Sequence, residues 1–281
     1  MNAFRSEKGR RKILSFYRRM LRDLSCEVEI REYETCRGLT AVLTTGPKEG
    51  APLILLHGTA SNSAAWGMDI GEYSRHFRVY AVDIPGEPGF STPGRFSSAG
   101  KEFTLWLDDL MDRMGVESAF FCGQSLGAWA ALRLAVDRPG RVRKVCAVSP
   151  SGIRPPRKSY FLRLIWLMLR GERGVRRLIR LMHNDTEILP EELEIFDLMR
   201  KHFIYRQDLP DLFTDRELRE LSAPVLYLAG AKDIVLNTAG SEKRLAALVP
   251  ELTRKIYPEG GHALTGLAGE TVPFFQESPA L

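Results

Sequence analysis

Three residues in this chain have the types and order that covalent chemistry needs: a serine between glycines, an aspartate in a post-strand loop and a histidine behind a glycine pair. The serine is Ser125, in Gly123-Gln124-Ser125-Leu126-Gly127. A serine hydroxyl is a weak nucleophile until a base takes its proton. His262, in Gly260-Gly261-His262-Ala263, is the candidate base, because the glycines let the ring come close to the nucleophile. An imidazole base needs a carboxylate to hold its tautomer and stabilise its charged form. Asp233, in Gly230-Ala231-Lys232-Asp233, is that candidate, and serine, acid, histidine is an established chain order for this chemistry. The other place for such an acid is the loop Ser149-Pro150-Ser151-Gly152, which holds no carboxylate.

Attack on a carbonyl builds an oxyanion that needs two donors. The N–H of Leu126, directly after the serine, is one candidate. Thr59, in His57-Gly58-Thr59-Ala60-Ser61-Asn62, supplies the other. His57 then holds that loop and is not the base. Of the remaining histidines, His76 reads as a surface or helix-end residue, and His183 and His202 as solvated or lining positions. Asp83, in Asp83-Ile84-Pro85-Gly86-Glu87-Pro88-Gly89-Phe90-Ser91, precedes the serine and reads as a turn stabiliser. Trp66 and Trp129 are candidate substrate-lining residues, as is Phe90, although large aromatics more often sit in the core.

These residues must be positioned by regular elements. Short apolar runs at Leu53–Leu56, Val79–Val82, Ala119–Cys122, Val145–Val148 and Val225–Ala229 suit strands buried on both faces. Lys255–Tyr257 reads as the last strand. Helical stretches between the runs make this an α/β pattern with a mostly parallel sheet. The serine sits where a strand turns sharply into an apolar helix, Ala128 to Val136, and glycines two residues either side relieve the crowding. Residues 11–24 have helical spacing, and residues 27–33 alternate as a half-buried strand whose hairpin partner is 39–45. Between Ser149 and Leu221 the strand rhythm stops. Helices over about 158–182 and 191–203 predict a helical cap, residues 153–220, inserted into a core made of residues 1–152 and 221–281. Ligands of open α/β sheets bind beyond the carboxyl ends of the strands, where such a cap would roof the pocket.

Composition bounds the partners. The chain has 281 residues, 44% of them hydrophobic and 27% charged, which is enough for one large α/β domain. The net charge of +5 is too small to imply nucleic-acid binding, and no nucleic-acid motif appears. The basic residues concentrate in an N-terminal run, Arg5 to Arg22, and in Arg154 to Arg180. Solvated helix faces account for such runs, and the basic-apolar stretch Tyr160–Arg180 also permits weak association with a membrane surface. No secretory signal or membrane-spanning run is read. Cys26, Cys36, Cys122 and Cys146 form no Cys-x-x-Cys pair, which points to reduced thiols and a cytoplasmic location.

With these motifs in place, the chain resembles the α/β-hydrolase superfamily from about Leu39 to Phe275, and bacterial carboxylesterases within it. Ala128 departs from a glycine common there, with no catalytic consequence. The resemblance implies hydrolysis of a small-molecule ester or acyl substrate through an acyl-enzyme, without metal or cofactor. Hydrolysis of a carbon–carbon bond or a lipid, acyl transfer, or a receptor that barely turns over would use the same residues. Oligomeric state is not legible from the sequence.

Overall fold

The structure is a computed structural model that describes residues 2–182 and 190–277. In chain order the elements are α1 (Glu7–Arg22), β1 (Glu29–Thr35), β2 (Gly38–Thr45), β3 (Pro52–Leu56), α2 (Ile70–His76), β4 (Arg78–Val82), α3 (Glu102–Met114), β5 (Ala119–Gln124), α4 (Leu126–Asp137) and β6 (Val142–Val148). There follow α5 (Lys158–Met168), α6 (Gly171–Met182), α7 (Pro190–His202), α8 (Asp215–Arg219), β7 (Val225–Gly230), α9 (Thr238–Leu248), β8 (Leu252–Tyr257) and α10 (Ala268–Gln276).

The eight strands form one sheet in the order β1-β2-β4-β3-β5-β6-β7-β8. β1 and β2 pair antiparallel, as do β2 and β4, and every later pairing is parallel. β3, β5, β6 and β7 are buried almost throughout, as their continuous apolar runs require. β1 differs from the sequence expectation: it begins at Glu29 and most of it is exposed, because it is the sheet's edge and has one neighbour. One face of the sheet packs on α3 and α4 around Phe103, Trp106, Phe121 and Trp129. The opposite face packs on α1, α2 and α10, with Tyr17, Tyr73, Phe77 and Phe275 in its core.

α1 starts earlier than the spacing of its apolar residues predicts. Ser6 caps it by accepting from the Gly9 N–H, and Ile13, Leu14, Phe16 and Tyr17 are its buried face. The helical stretch expected over 158–182 is two helices, because Gly171, the first residue of α6, turns left-handed (φ 59°).

The segment between β6 and β7 is tied down where the chemistry-bearing residues lie. Arg157 donates from its backbone N–H to Val235 O (2.8 Å) and from Nε to Leu236 O (2.9 Å), both just past Asp233. Ala263 N–H, next to His262, donates to Met182 O (3.1 Å) at the end of α6.

Candidate active site

The sharp turn after β5 holds Ser125 at φ 52°, ψ −107°, outside the regions that side chains favour. This is the strain that a nucleophile on a strand-to-helix elbow carries. The flanking glycines are required by contact. A Cβ on Gly127 would lie 2.0 Å from Leu56 O, and one on Gly123 would lie 2.5 Å from Ala128 N. Leu126 begins α4, so its N–H belongs to the first turn, whose donors lack intrahelical acceptors.

The carboxyl ends of three parallel strands bring the three residues together. His262 Nε2 lies 3.3 Å from Ser125 Oγ, and His262 Nδ1 lies 2.8 Å from Asp233 Oδ2. Asp233 is buried, and its other oxygen accepts from the N–H groups of Val235 (2.7 Å) and Leu236 (2.9 Å). The carboxylate is therefore fixed by the loop that follows it, and it fixes one edge of the imidazole. The other edge faces the serine. This arrangement can take a proton from Ser125 and keep the resulting charge beside a carboxylate.

The loop after β3 lies against Ser125. A Cβ on Gly58 would sit 3.5 Å from Ser125 Cβ, so glycine leaves that space open. Thr59 is exposed. The residue in this loop with left-handed backbone is Ala60 (φ 58°). His57 is fully buried. Ile84 N–H donates to its Nε2 (3.0 Å), so the proton sits on Nδ1 and is donated to Gly58 O (2.8 Å). Burial lowers its pKa and keeps it neutral. It braces the loop, as its place in the sequence implied.

Asp83 is also a brace. Its Oδ1 accepts from Tyr17 Oη (2.9 Å), Ser63 N–H (2.9 Å) and Ser63 Oγ (2.8 Å), and its Oδ2 from Phe90 N–H (2.8 Å). Burial, with Asp83 alongside, pushes the Tyr17 phenol well up, so it remains a donor. His76 ends α2 and pairs with Glu72 at 3.1 Å, and His202 ends α7 beside Gly9. His183 lies outside the described residues.

The candidate lining aromatics are placed differently from the expectation. Trp129 is fully buried in the core under α4, edge-on to Phe103 (5.3 Å) and donating to Asp211 O (2.9 Å). Trp66 is buried on the other face of the sheet, among α1 and α2. Phe90 stacks on Tyr17 at 4.5 Å. Trp66 and Trp129 are committed to packing, and Phe90 is half-buried against Tyr17.

Two contacts at the site went unread in the sequence. Ser151 Oγ, in the loop without a carboxylate, lies 3.3 Å from Ser125 Oγ. Glu87, fully buried, accepts from Ala60 N–H (2.7 Å) and pairs with Arg206 Nε (3.2 Å), whose side chain is also buried. Glu87 sits in the same loop as Asp83, but its partner is 119 residues away and no local spacing links them.

With fold and geometry described, the comparisons with known proteins bear directly on class. Residues 53–272 match the model of the alpha/beta hydrolase family, and the chain belongs to that family. The carboxylesterase nap of Bacillus subtilis (strain 168) is 30% identical over 239 residues, covering 81% of this chain and 78% of the relative. The carboxylesterase YbfK of the same organism is 30% identical over 267 residues, 90% of this chain and 88% of its own. Among solved structures, the naproxen esterase of Bacillus subtilis superposes with a TM-score of 0.86 at 25% identity, over 93% of this chain and 96% of that one. The YbfK structure gives 0.82 at 27% identity over 96% of each chain.

Proposed function

We propose that this protein is a carboxylesterase that works through an acyl-enzyme. The observation that carries the reading is the unbroken line Ser125 Oγ, His262, Asp233, at 3.3 and 2.8 Å. Ser125 Oγ attacks the ester carbonyl while His262 Nε2 takes its proton. Asp233 holds the Nδ1–H tautomer and stabilises the imidazolium. The Leu126 and Thr59 N–H groups receive the oxyanion, in front of the amino end of α4, whose dipole favours negative charge. His262 then protonates the leaving alcohol. Water repeats the sequence on the acyl group and frees the serine.

Residues 153–220 serve as a cap, anchored beside the acid through Arg157 and beside the base through Met182. Four free thiols fit a reducing, cytoplasmic setting. The carboxylesterase names of two relatives matched over most of their length support an ester substrate. The test is Ser125→Ala with a short-chain nitrophenyl ester and a fluorophosphonate label. Loss of both turnover and labelling is expected, and full turnover in the variant overturns the assignment. A panel of acyl-chain lengths with alcohol acceptors separates hydrolysis from acyl transfer.

A further inference from the structure

The outer face of α5 carries an apolar stripe that the fold leaves uncovered. Leu162, Ile165, Trp166 and Leu169 are 72%, 60%, 51% and 82% exposed. At about 100° per residue these four positions fall within roughly a 100° arc, one face of a helix. The helix is held from the other side, where Leu167 is buried and α6 contributes buried Val175, Leu178 and Ile179. Soluble surfaces scatter single apolar side chains, whereas contiguous patches mark interaction sites.

The stripe is bordered by positive charge. Arg163 on α5 and Arg170 just past its end border one side of it, Lys158 lies at its amino end, and all three are exposed. The guanidinium of Arg170 lies 3.5 Å over the Trp166 ring. On α6 the exposed positions include Arg173, Arg176 and Arg180. From Arg154 to Met182 the chain has nine basic residues and one acidic, Glu172, although the whole protein has an excess of only five. An apolar helix face with a tryptophan at its edge and a basic border is the composition of an interfacial helix.

We infer that the exposed face of α5, with the arginines around it, docks the protein on an anionic lipid surface. The charge decides among occupants. A second copy of the same face would bring two arginine-rich borders together, and a nucleic acid would leave the four apolar side chains in water. An anionic bilayer accepts both parts: the stripe enters the headgroup boundary and the guanidiniums meet lipid phosphates. α5 is about 16 Å long and lies in the interface plane; among the described residues no helix is long and apolar enough to cross it. The inference does not depend on the reaction assigned to Ser125.

The protein carries its own reporter. Trp66, Trp106 and Trp129 are buried, which leaves Trp166 as the exposed tryptophan. The experiment is co-sedimentation of the full chain with phosphatidylcholine vesicles with and without phosphatidylglycerol, read together with tryptophan emission and quenching by brominated lipid. Expected are binding that requires phosphatidylglycerol, a blue-shifted and quenched emission, and loss of binding near 0.5 M salt. Ile165→Asp with Leu169→Asp should abolish binding while turnover of a soluble short-chain ester and the near-ultraviolet circular dichroism stay unchanged. Arg163→Ala with Arg173→Ala, which leaves the apolar stripe intact, should weaken partitioning by about 30-fold, roughly fivefold for each basic residue removed. Absence of binding at low salt, or undiminished binding by the aspartate variant, overturns the inference. So does concentration-dependent dimerisation that the aspartate variant abolishes without any vesicle binding.

Discussion

Replacing Glu87 separates two roles that one carboxylate performs. One oxygen holds the N–H of Ala60 at 2.7 Å, and the other pairs with Arg206 at 3.2 Å, with both side chains buried. Ala60 has φ 58°, a conformation that costs a residue with a Cβ about 1–2 kcal/mol. In Glu87→Ala the Ala60 N–H loses its acceptor in a half-buried setting, at a further cost of about 1–3 kcal/mol. Together these terms are enough to release the loop from its left-handed turn. Thr59, whose N–H is the proposed second oxyanion donor, is the adjacent residue. A full donor is worth roughly 3–4 kcal/mol of barrier, and loosening it forfeits part of that. The kcat of Glu87→Ala should therefore fall by about 10- to 100-fold, with KM changed by less than about threefold. Glu87→Gln keeps an oxygen for Ala60 and should retain kcat within about fivefold. It nonetheless removes the charge facing a buried guanidinium, which costs about 3–5 kcal/mol, less whatever Asp208 recovers. The assays are steady-state hydrolysis of a nitrophenyl ester and urea unfolding. Wild-type kcat in folded Glu87→Ala would refute the link between the clamp and the oxyanion loop.

Asp233→Asn should lower kcat by about 10³- to 10⁴-fold with little change in substrate binding, because the amide no longer enforces the required tautomer; single-turnover kinetics would measure it. His57 gives the protein an acid-sensitive bond network. Its folded pKa is lowered by burial, so below about pH 6.5 the unfolded chain takes up a proton that the folded one refuses. Stability should fall with decreasing pH, by up to about 1.4 kcal/mol per unit from this group, and His57→Gln should show a shallower slope in urea unfolding between neutral and mildly acid pH. Gly127→Ala would place a methyl 2.0 Å from a backbone oxygen that cannot swing aside. It should lower the melting temperature by roughly 8 °C or more, or abolish soluble expression.

The proposed triad was legible because each member carries its own punctuation: glycines around Ser125, a glycine pair before His262, and a strand-ending glycine before Asp233. Its strands were legible because they are apolar on both faces. The depth of β1 was misread, since its alternation suits a half-buried strand and an exposed edge strand alike. The break at Gly171 was hidden by arginine and leucine spacing that suits either one helix or two. Glu87 and Arg206 were invisible as a pair because burial of opposite charges depends on how the segment between β6 and β7 returns to the core. Trp66 and Trp129 show the opposite limit: aromatic content near a motif indicates packing as readily as a pocket.

Among the described residues, the three non-glycine residues with left-handed backbone are Ala60, Ser125 and Ser149, just past the carboxyl ends of β3, β5 and β6. Each is held in place by surroundings that the rest of the fold supplies, which makes the site a net drain on stability. Selection on heat resistance and selection on activity therefore pull these three codons in opposite directions. A lineage adapting to a hotter habitat would have to find its gains in the helices and surface charges, leaving the rim of the sheet as the slowest part of the molecule to change.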